Sequence, residues 1–233
     1  MDTKRVTAGS ENTSDITQNN VSENVVSYKT DQEEFWAGEF GNEYIDRNDD
    51  QNKILPTNTH LFSQILKSTC GIETVIEFGS NIGYNLMAIK RLLPLSDFSA
   101  IEINAKAVEI LKKRFNNDIK VYNRSILDFA VDYQRDLVLI KGVLIHVNPN
   151  ELQNIYEKLY ATTRKYIVIC EYYNPQPIEV NYRGNTGKLF KRDFAGEMLD
   201  KYNDLELVNY GFIYHRDSIF AGDDLTWFLL RKK

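Results

Sequence analysis

Cysteine, histidine and proline are scarce in this chain of 233 residues, which has 2 Cys, 3 His and 5 Pro. Cys70 and Cys170 stand far apart and give no disulfide framework, so a reducing, cytoplasmic environment is the expectation. The histidines and cysteines also lack the spacing of a metal site, and we expect no bound metal. No apolar run approaches the roughly 18 residues that span a bilayer, so we expect no membrane partner.

A surplus of basic residues is also missing. The chain has 28 basic and 33 acidic residues, a net charge of −5 and a pI near 5.4. General nucleic-acid binders normally carry a basic surplus, so we do not expect that kind of binding. Residues 1–30 have few large apolar groups and lack the apolar segment of a signal peptide, which predicts a disordered leader.

The stretch from 74 to 83, TVIEFGSNIG, is the one around which the chain is organised. Its apolar run ends abruptly at Gly79, and a helical pattern starts near Gly83. A strand, a glycine-bearing turn and a helix are the opening unit of a nucleotide-binding α/β sheet. The two glycines let the backbone approach a ligand, although close packing of the helix uses such a pair as well.

The detail of this turn favours one cofactor. The spacing is Glu77-x-Gly79-x-x-x-Gly83, with Asn81 near the place of the middle glycine of a dinucleotide fingerprint. A carboxylate two residues before the first glycine repels a pyrophosphate but pairs with an ammonium group. The pattern resembles motif I of the class I S-adenosylmethionine-dependent methyltransferases, which implies S-adenosyl-L-methionine as the cofactor. An NAD-dependent oxidoreductase, or a protein that binds S-adenosylmethionine without methyl transfer, are the alternatives.

The rest of the chain alternates apolar runs with helical patterns. Strands are predicted at 73–78, 98–103, 119–123, 136–140, 166–170, 205–214 and 225–230. A helix is predicted to open at Pro56 with Thr57 or Asn58. The predicted fold class is α/β, a seven-stranded Rossmann-like class I methyltransferase fold with three α/β/α layers and an antiparallel last strand.

An aromatic segment at 31–56 precedes this domain, and it includes EFWAGEFGNEYIDRN. Gly38 and Gly41 argue against one long helix there. So many aromatic residues predict either a lid over the cofactor, with Tyr44 and Arg47 best placed to contact it, or a cover for one edge of the sheet. The methyltransferase domain is predicted at 57–233, with an insertion around 174–194.

A narrower resemblance covers nearly everything except the leader. The segments EFWAGEFGNEYIDRN, FGSNIGYNL, KGVLIHVNP, EYYNPQPIEVNYRG, GKLFKRDFAGEMLD and YGFIYHRD are similar to the pseudaminic acid biosynthesis-associated methylase family. This resemblance implies a bacterial methyltransferase linked to the synthesis of a nonulosonic acid surface sugar. It does not establish the acceptor, for which we expect a small anionic molecule such as a sugar or nucleotide-sugar.

Residues for the cofactor follow from the turn, the strand ends and the lid. Glu102 ends the second strand about 20 residues after the glycine turn, where an acid accepts both ribose hydroxyls. By their position in the methyltransferase fold, Ser125 and Ile126 are expected beside the adenine. The predicted cofactor-binding residues are Glu77, Gly79, Ser80, Asn81, Gly83, Glu102, Ile103, Ser125, Ile126, Lys141, Tyr44 and Arg47.

The insertion is long, polar and basic in a chain that is acidic elsewhere, so it is interpreted as the binding loop for an anionic acceptor or as a solvated loop. The predicted acceptor-binding residues are Tyr173, Asn174, Tyr182, Arg183, Lys191 and Arg192. A hydroxyl acceptor needs a base, and the candidate catalytic residues are His146, His215 and Tyr172. An amine acceptor needs only to arrive unprotonated, and the sequence does not decide between the two.

Overall fold

The computed structural model describes Met1 and residues 27–233, so most of the predicted leader at 1–30 lies outside the described residues. The helices are α1 (Asp31–Ala37), α2 (Glu39–Arg47), α3 (Gln51–Leu66), α4 (Tyr84–Leu92), α5 (Ala105–Arg114), α6 (Leu152–Thr162) and α7 (Phe194–Lys201). The strands are β1 (Thr74–Phe78), β2 (Asp97–Glu102), β3 (Lys120–Asn123), β4 (Arg135–Lys141), β5 (Thr163–Glu171), β6 (Ile178–Glu179), β7 (Phe190–Lys191), β8 (Leu205–Phe212) and β9 (Thr226–Lys232).

Within these described residues, the main sheet has seven strands in the order β3-β2-β1-β4-β5-β9-β8. Strands β1 to β5 pair in parallel, and β9 is antiparallel to both of its neighbours, β5 and β8. The predicted seven strands and the antiparallel last strand are therefore confirmed.

Helices cover both faces of the sheet, which explains why its central strands read as continuous apolar runs. In β4, the side chains from Leu137 to Ile140 are at most 1% exposed. One face packs against residues of α3, α4 and α5, such as Phe62, Ile89 and Leu111. The other packs against α6 and α7, through residues such as Leu159 and Met198. The three layers leave the carboxyl ends of the parallel strands at one edge.

The start of α3 differs from the prediction, because the helix begins at Gln51 and holds Pro56 inside it. The side chain of Asp50 caps this earlier start by accepting a hydrogen bond from the Lys53 N–H at 3.3 Å. Leu55 is only 2% exposed, so burial of this turn favours the helix although Pro56 removes one backbone donor.

The insertion also differs from the prediction of a plain loop. Its strands β6 and β7 pair in antiparallel register, with Ile178 opposite Lys191. Strands of two residues are too short to produce a periodic pattern in the sequence. In the described part of the chain, no helix combines the length and the apolar character needed to cross a membrane.

Candidate functional site

A cavity of about 700 Å³ opens at the carboxyl ends of β1, β2 and β4. Its floor is formed by the turn at 79–83, the end of β2, and the segments 124–127 and 141–148. Its roof and walls come from α1, α2, the start of α3 and the loop between β8 and β9. The volume lies within the range of about 300–1,000 Å³ that is typical of small-molecule sites.

The turn between β1 and α4 has three residues with positive φ: Gly79 at 74°, Asn81 at 45° and Gly83 at 87°. A Cβ atom at Gly83 would lie 2.3 Å from Cδ1 of Leu111, and one at Gly79 would lie 2.5 Å from Cγ2 of Val143. Both glycines are therefore required by backbone conformation and by packing, and both also line the cavity.

Glu102 links this turn to the end of β2. Its two carboxylate oxygens accept hydrogen bonds from the backbone N–H of Asn81 at 2.7 Å and of Asn104 at 2.8 Å. The residue is 7% exposed and lines the cavity. Burial raises the pKa of its carboxyl group, while the backbone donors oppose that shift. Glu102 therefore holds two loops of the cavity floor together and presents oxygen acceptors to its interior.

Glu77, a predicted cofactor-binding residue, is fully buried and is not among the residues that line the cavity, although its partner Asn85 is. Its Oε1 accepts a hydrogen bond from the Asn85 amide at 2.6 Å, and Asn85 in turn accepts one from Asn58 at 2.9 Å. The other oxygen, Oε2, has no hydrogen-bond partner within the described residues. Burial raises the pKa of Glu77 to about 8. A buried acceptor of this kind is satisfied when a donor, above all a cation, reaches it.

Glu171 is a site residue that the sequence reasoning missed. It ends β5, is 2% exposed, and accepts the backbone N–H groups of Val143 and Leu144, each at 2.9 Å. Burial raises its pKa to about 7. Its contacts fix the turn that carries His146. The sequence does contain a signal for Glu171, because this carboxylate stands at the carboxyl end of a buried strand, as Glu102 does.

The two candidate bases have different environments. His146 donates from Nδ1 to the carbonyl of Lys188 at 2.6 Å, which leaves Nε2 as the ring acceptor. Burial lowers the pKa of His146 to about 4, so the ring is neutral at physiological pH. His215 donates from Nδ1 to Oδ2 of Asp224 at 2.7 Å and is more than half exposed. Both histidines line the cavity.

The segment α1–α2 lies across the cavity and is joined to the domain by polar contacts. The Asn104 amide donates to the carbonyl of Trp36 at 3.2 Å, and Lys106 pairs with Asp46 at 2.7 Å. On the other side, the Gln32 amide donates to the carbonyl of Gly187 at 2.8 Å. This segment therefore bridges the domain and the insertion.

The structure brings most of the predicted site residues into the cavity lining. These are Tyr44, Arg47, Gly79, Ser80, Asn81, Gly83, Glu102, Ile103, Ser125, Ile126, Lys141, His146, Tyr172, Tyr182 and His215. Five predicted acceptor-binding residues are not among the lining residues: Tyr173, Asn174, Arg183, Lys191 and Arg192.

Some cations of the insertion are engaged elsewhere. The Arg192 guanidinium pairs with Glu197 at 2.7 Å, and the Lys191 ammonium lies 5.0 Å from the centre of the Tyr172 ring. In residues 27–233, no group of three or more His, Cys, Asp or Glu side chains is arranged to hold a metal ion.

No protein-family profile and no curated protein matches the chain. Solved structures do. A Burkholderia thailandensis 1,6-didemethyltoxoflavin-N1-methyltransferase with bound S-adenosylhomocysteine is similar with a TM-score of 0.64 and 14% identity, over 83% of this chain and 85% of that chain. The chain has the class I methyltransferase fold.

Two further structures have the same fold. Magnesium protoporphyrin IX methyltransferase from Synechocystis PCC 6803, with bound SAM, has a TM-score of 0.64 and 11% identity, over 89% of this chain and 100% of that one. The N-methyltransferase NodS from Bradyrhizobium japonicum WM9 has a TM-score of 0.59 and 15% identity, over 79% and 98%. None of these comparisons supports the narrower resemblance to the pseudaminic acid biosynthesis-associated family.

Proposed function

We propose that the protein is an S-adenosylmethionine-dependent methyltransferase that acts on a small polar acceptor. The observation that carries this proposal is the pair of buried carboxylates at neighbouring strand ends. Glu77 has a buried oxygen without a partner and is joined to the cavity lining through Asn85, and Glu102 is itself a lining residue. Solved structures of the same fold contain SAM or S-adenosylhomocysteine, which supports this choice of cofactor.

The residues present fit S-adenosylmethionine. The free oxygen of Glu77 suits the ammonium group of the methionine part, and Glu102 suits the two ribose hydroxyls. Ser125 and Ile126 are expected to flank the adenine, and the turn at 79–83 to contact the methionine part. When bound, the cofactor supplies a methyl group on a sulfonium ion, which is already activated for transfer.

Because the donor is activated, the chain has to align the acceptor and keep water out. The α1–α2 segment places Trp36, Tyr44 and Arg47 over the cavity, which fits the second task. His146 offers a neutral ring acceptor for a donor group of the substrate, since its Nδ1 proton is held by Lys188. With a pKa of about 4, His146 is a weak base. The Nδ1 atom of His215 donates a hydrogen bond to Asp224.

For the acceptor, we propose a sugar or nucleotide-sugar, as the narrower resemblance implies. An anionic group on it would meet Arg47, Lys53 or Lys141, which line the cavity, rather than Arg183 and Lys191 of the insertion. The alternatives are binding of the cofactor without transfer, and an NAD-dependent oxidoreductase. Asn81, which stands near the place of the middle glycine of a dinucleotide fingerprint, disfavours the latter.

Formation of S-adenosylhomocysteine tests the proposal. The purified chain is incubated with S-adenosylmethionine and a panel of sugars, amino sugars and their phosphates, and products are followed by mass spectrometry. We expect one acceptor class to gain a methyl group. Glu102→Ala should abolish the reaction at low cofactor concentration, and Glu109→Ala on the exposed face of α5 should not. Cofactor binding without turnover on any acceptor would favour the binding-only alternative.

A further inference from the structure

Five of the aromatic residues that line the cavity form a group that we call the aromatic box: Trp36, Tyr44, His146, Tyr172 and Tyr182. The centre of the Trp36 ring lies 4.6 Å from that of His146 and 5.2 Å from that of Tyr44. The ring of Tyr182 lies 4.8 Å from His146 and 6.4 Å from Trp36. The box combines α1, α2, the segments that follow β4 and β5, and the insertion, so it forms only when these segments come together.

Several groups of the box can attract a positive charge. The phenol oxygens of Tyr44 and Tyr172 have no hydrogen bond to the described residues. Nε2 of His146 is a lone-pair acceptor, because the Nδ1 proton is donated to Lys188. Aromatic faces add a negative quadrupole, which attracts ammonium groups within about 6 Å.

Charged residues of both signs lie near the box, since Arg47, Lys53, Lys141 and Asp223 all line the cavity. Burial raises the pKa of Tyr44 and Tyr172, and Asp223, which lines the cavity, contributes to both shifts in the same direction. Asp224 and Glu171 act on Tyr172 in the same direction. Arg183 opposes this effect at Tyr44 but less strongly than Asp223, and Lys191 lies over the Tyr172 ring. At Tyr44 the acidic Asp223 therefore has a larger effect than the basic Arg183.

We propose that the aromatic box and Asp223 bind an amino group of the acceptor, so that the methyl-accepting atom is an amine nitrogen. This inference rests on the proposed methyltransferase function. It is compatible with an anionic acceptor, because an amino sugar phosphate carries both groups. The sequence left a hydroxyl and an amine acceptor open, and the proposed ammonium site favours the amine.

The amine enters as an ammonium ion and loses one proton to water at the cavity mouth, where Asp223 is exposed. The nitrogen lone pair then forms the new N–C bond while the S–C bond breaks, and the electron pair of that bond stays on sulfur. The methylated ammonium product releases one further proton to water when it becomes a neutral amine. No strong base is needed, which agrees with the neutral state of His146.

A pair of probes of similar size tests the charge preference independently of the acceptor scaffold. The full chain, saturated with S-adenosylhomocysteine, is titrated with tetramethylammonium chloride and with tert-butanol, and Trp fluorescence is recorded. The chain has 2 Trp, and Trp227 lies in the core, so a change on binding reports Trp36. We expect the cation to bind about 3- to 30-fold more tightly than the alcohol.

Matched variants distinguish a specific effect of Asp223 at the box from a general effect of the net charge of the protein. Asp223→Asn should weaken tetramethylammonium binding by about 3- to 10-fold, and Asp200→Asn, the same change on the exposed end of α7, should leave it unchanged. In the transfer assay, glucosamine 6-phosphate should be methylated in preference to glucose 6-phosphate, which differs in the amino group alone. Equal binding of the two small probes, or methylation of the glucose phosphate, would overturn the inference. A failure to bind S-adenosylhomocysteine would instead overturn the proposed function.

Discussion

Replacing Glu77 with glutamine should make the protein more stable and a poorer binder of its cofactor. The side chain is fully buried, with one oxygen bonded to Asn85 and the other without a partner. Glutamine has the same shape, and its carbonyl oxygen can keep the bond to Asn85. The substitution therefore removes a buried group that must ionise at high pH, and it does so without creating a cavity.

The size of the stability effect follows from the pKa of Glu77, which burial raises from 4.5 to about 8. A raised carboxyl pKa means that the folded state favours the neutral form. The corresponding stability is fully present below about pH 4.5 and is lost as the pH rises through about 8. At about 1.4 kcal/mol for each pH unit in this window, the loss approaches 4 to 5 kcal/mol at pH 8. Glu77→Gln should recover up to about this amount at pH 8 and almost nothing near pH 4.5.

Cofactor binding should change in the opposite direction, because glutamine has no charge to pair with the methionine ammonium group. A lost hydrogen bond between charged groups is worth about 1.5–3 kcal/mol, which corresponds to a loss of affinity of about 10- to 100-fold. Wild-type affinity for S-adenosylmethionine should also increase as the pH rises from 6 to about 8 and Glu77 ionises, and the variant should lack this dependence.

Urea unfolding of wild type, Glu77→Gln and Glu109→Gln at several pH values between 5 and 8 measures the first effect, and calorimetric titration measures the second. Glu171 also has a raised pKa, but it titrates in all three proteins and cancels from the differences. A stability difference that is the same at pH 5 and pH 8 would refute the reasoning. So would a glutamine variant that binds S-adenosylmethionine as tightly as wild type.

Three further substitutions test other parts of the account. Glu102→Ala should weaken cofactor binding by about 1–3 kcal/mol and also lower the melting temperature, because the N–H groups of Asn81 and Asn104 lose their acceptor. Gly83→Ala should lower the unfolding free energy by about 2–4 kcal/mol, since its Cβ would lie 2.3 Å from Leu111, whereas Gly184→Ala, also at positive φ but with no atom within 4 Å, should lose only about 1 kcal/mol. Replacing Arg183 and Lys191 together with Ala should leave both cofactor affinity and acceptor use nearly unchanged, because neither side chain lines the cavity; a loss of acceptor use with intact cofactor affinity would instead assign the insertion to acceptor binding.

Much of the fold was predictable because buried parallel strands and their helices leave periodic patterns in the sequence. The run at 137–140 is apolar on both faces, and the observed β4 differs from the predicted strand by one residue at each end. Glu102 was found for a related reason, since a polar residue at the end of such a run stands out. The start of α3 was wrong because burial of Leu55 outweighs the local preference against Pro56.

The remaining parts of the site depend on contacts between residues that are distant in sequence. The ring of Trp36 meets those of His146 and Tyr182, which no periodic pattern or motif indicates. The pairing of Arg192 with Glu197 likewise depends on how the insertion folds back onto α7. The sequence therefore showed that the insertion is basic, but it did not show which way its cationic side chains point.

The most direct test of the account is a calorimetric titration of the purified chain with S-adenosylmethionine, S-adenosylhomocysteine and NADH in parallel. A site that combines the buried carboxyl group of Glu77 with the cavity-lining carboxylate of Glu102 should bind the two sulfur ligands with micromolar dissociation constants and should not bind NADH. Absence of binding of both sulfur ligands, or binding of NADH in their place, would contradict the assignment of this cavity to S-adenosylmethionine and the function proposed from it.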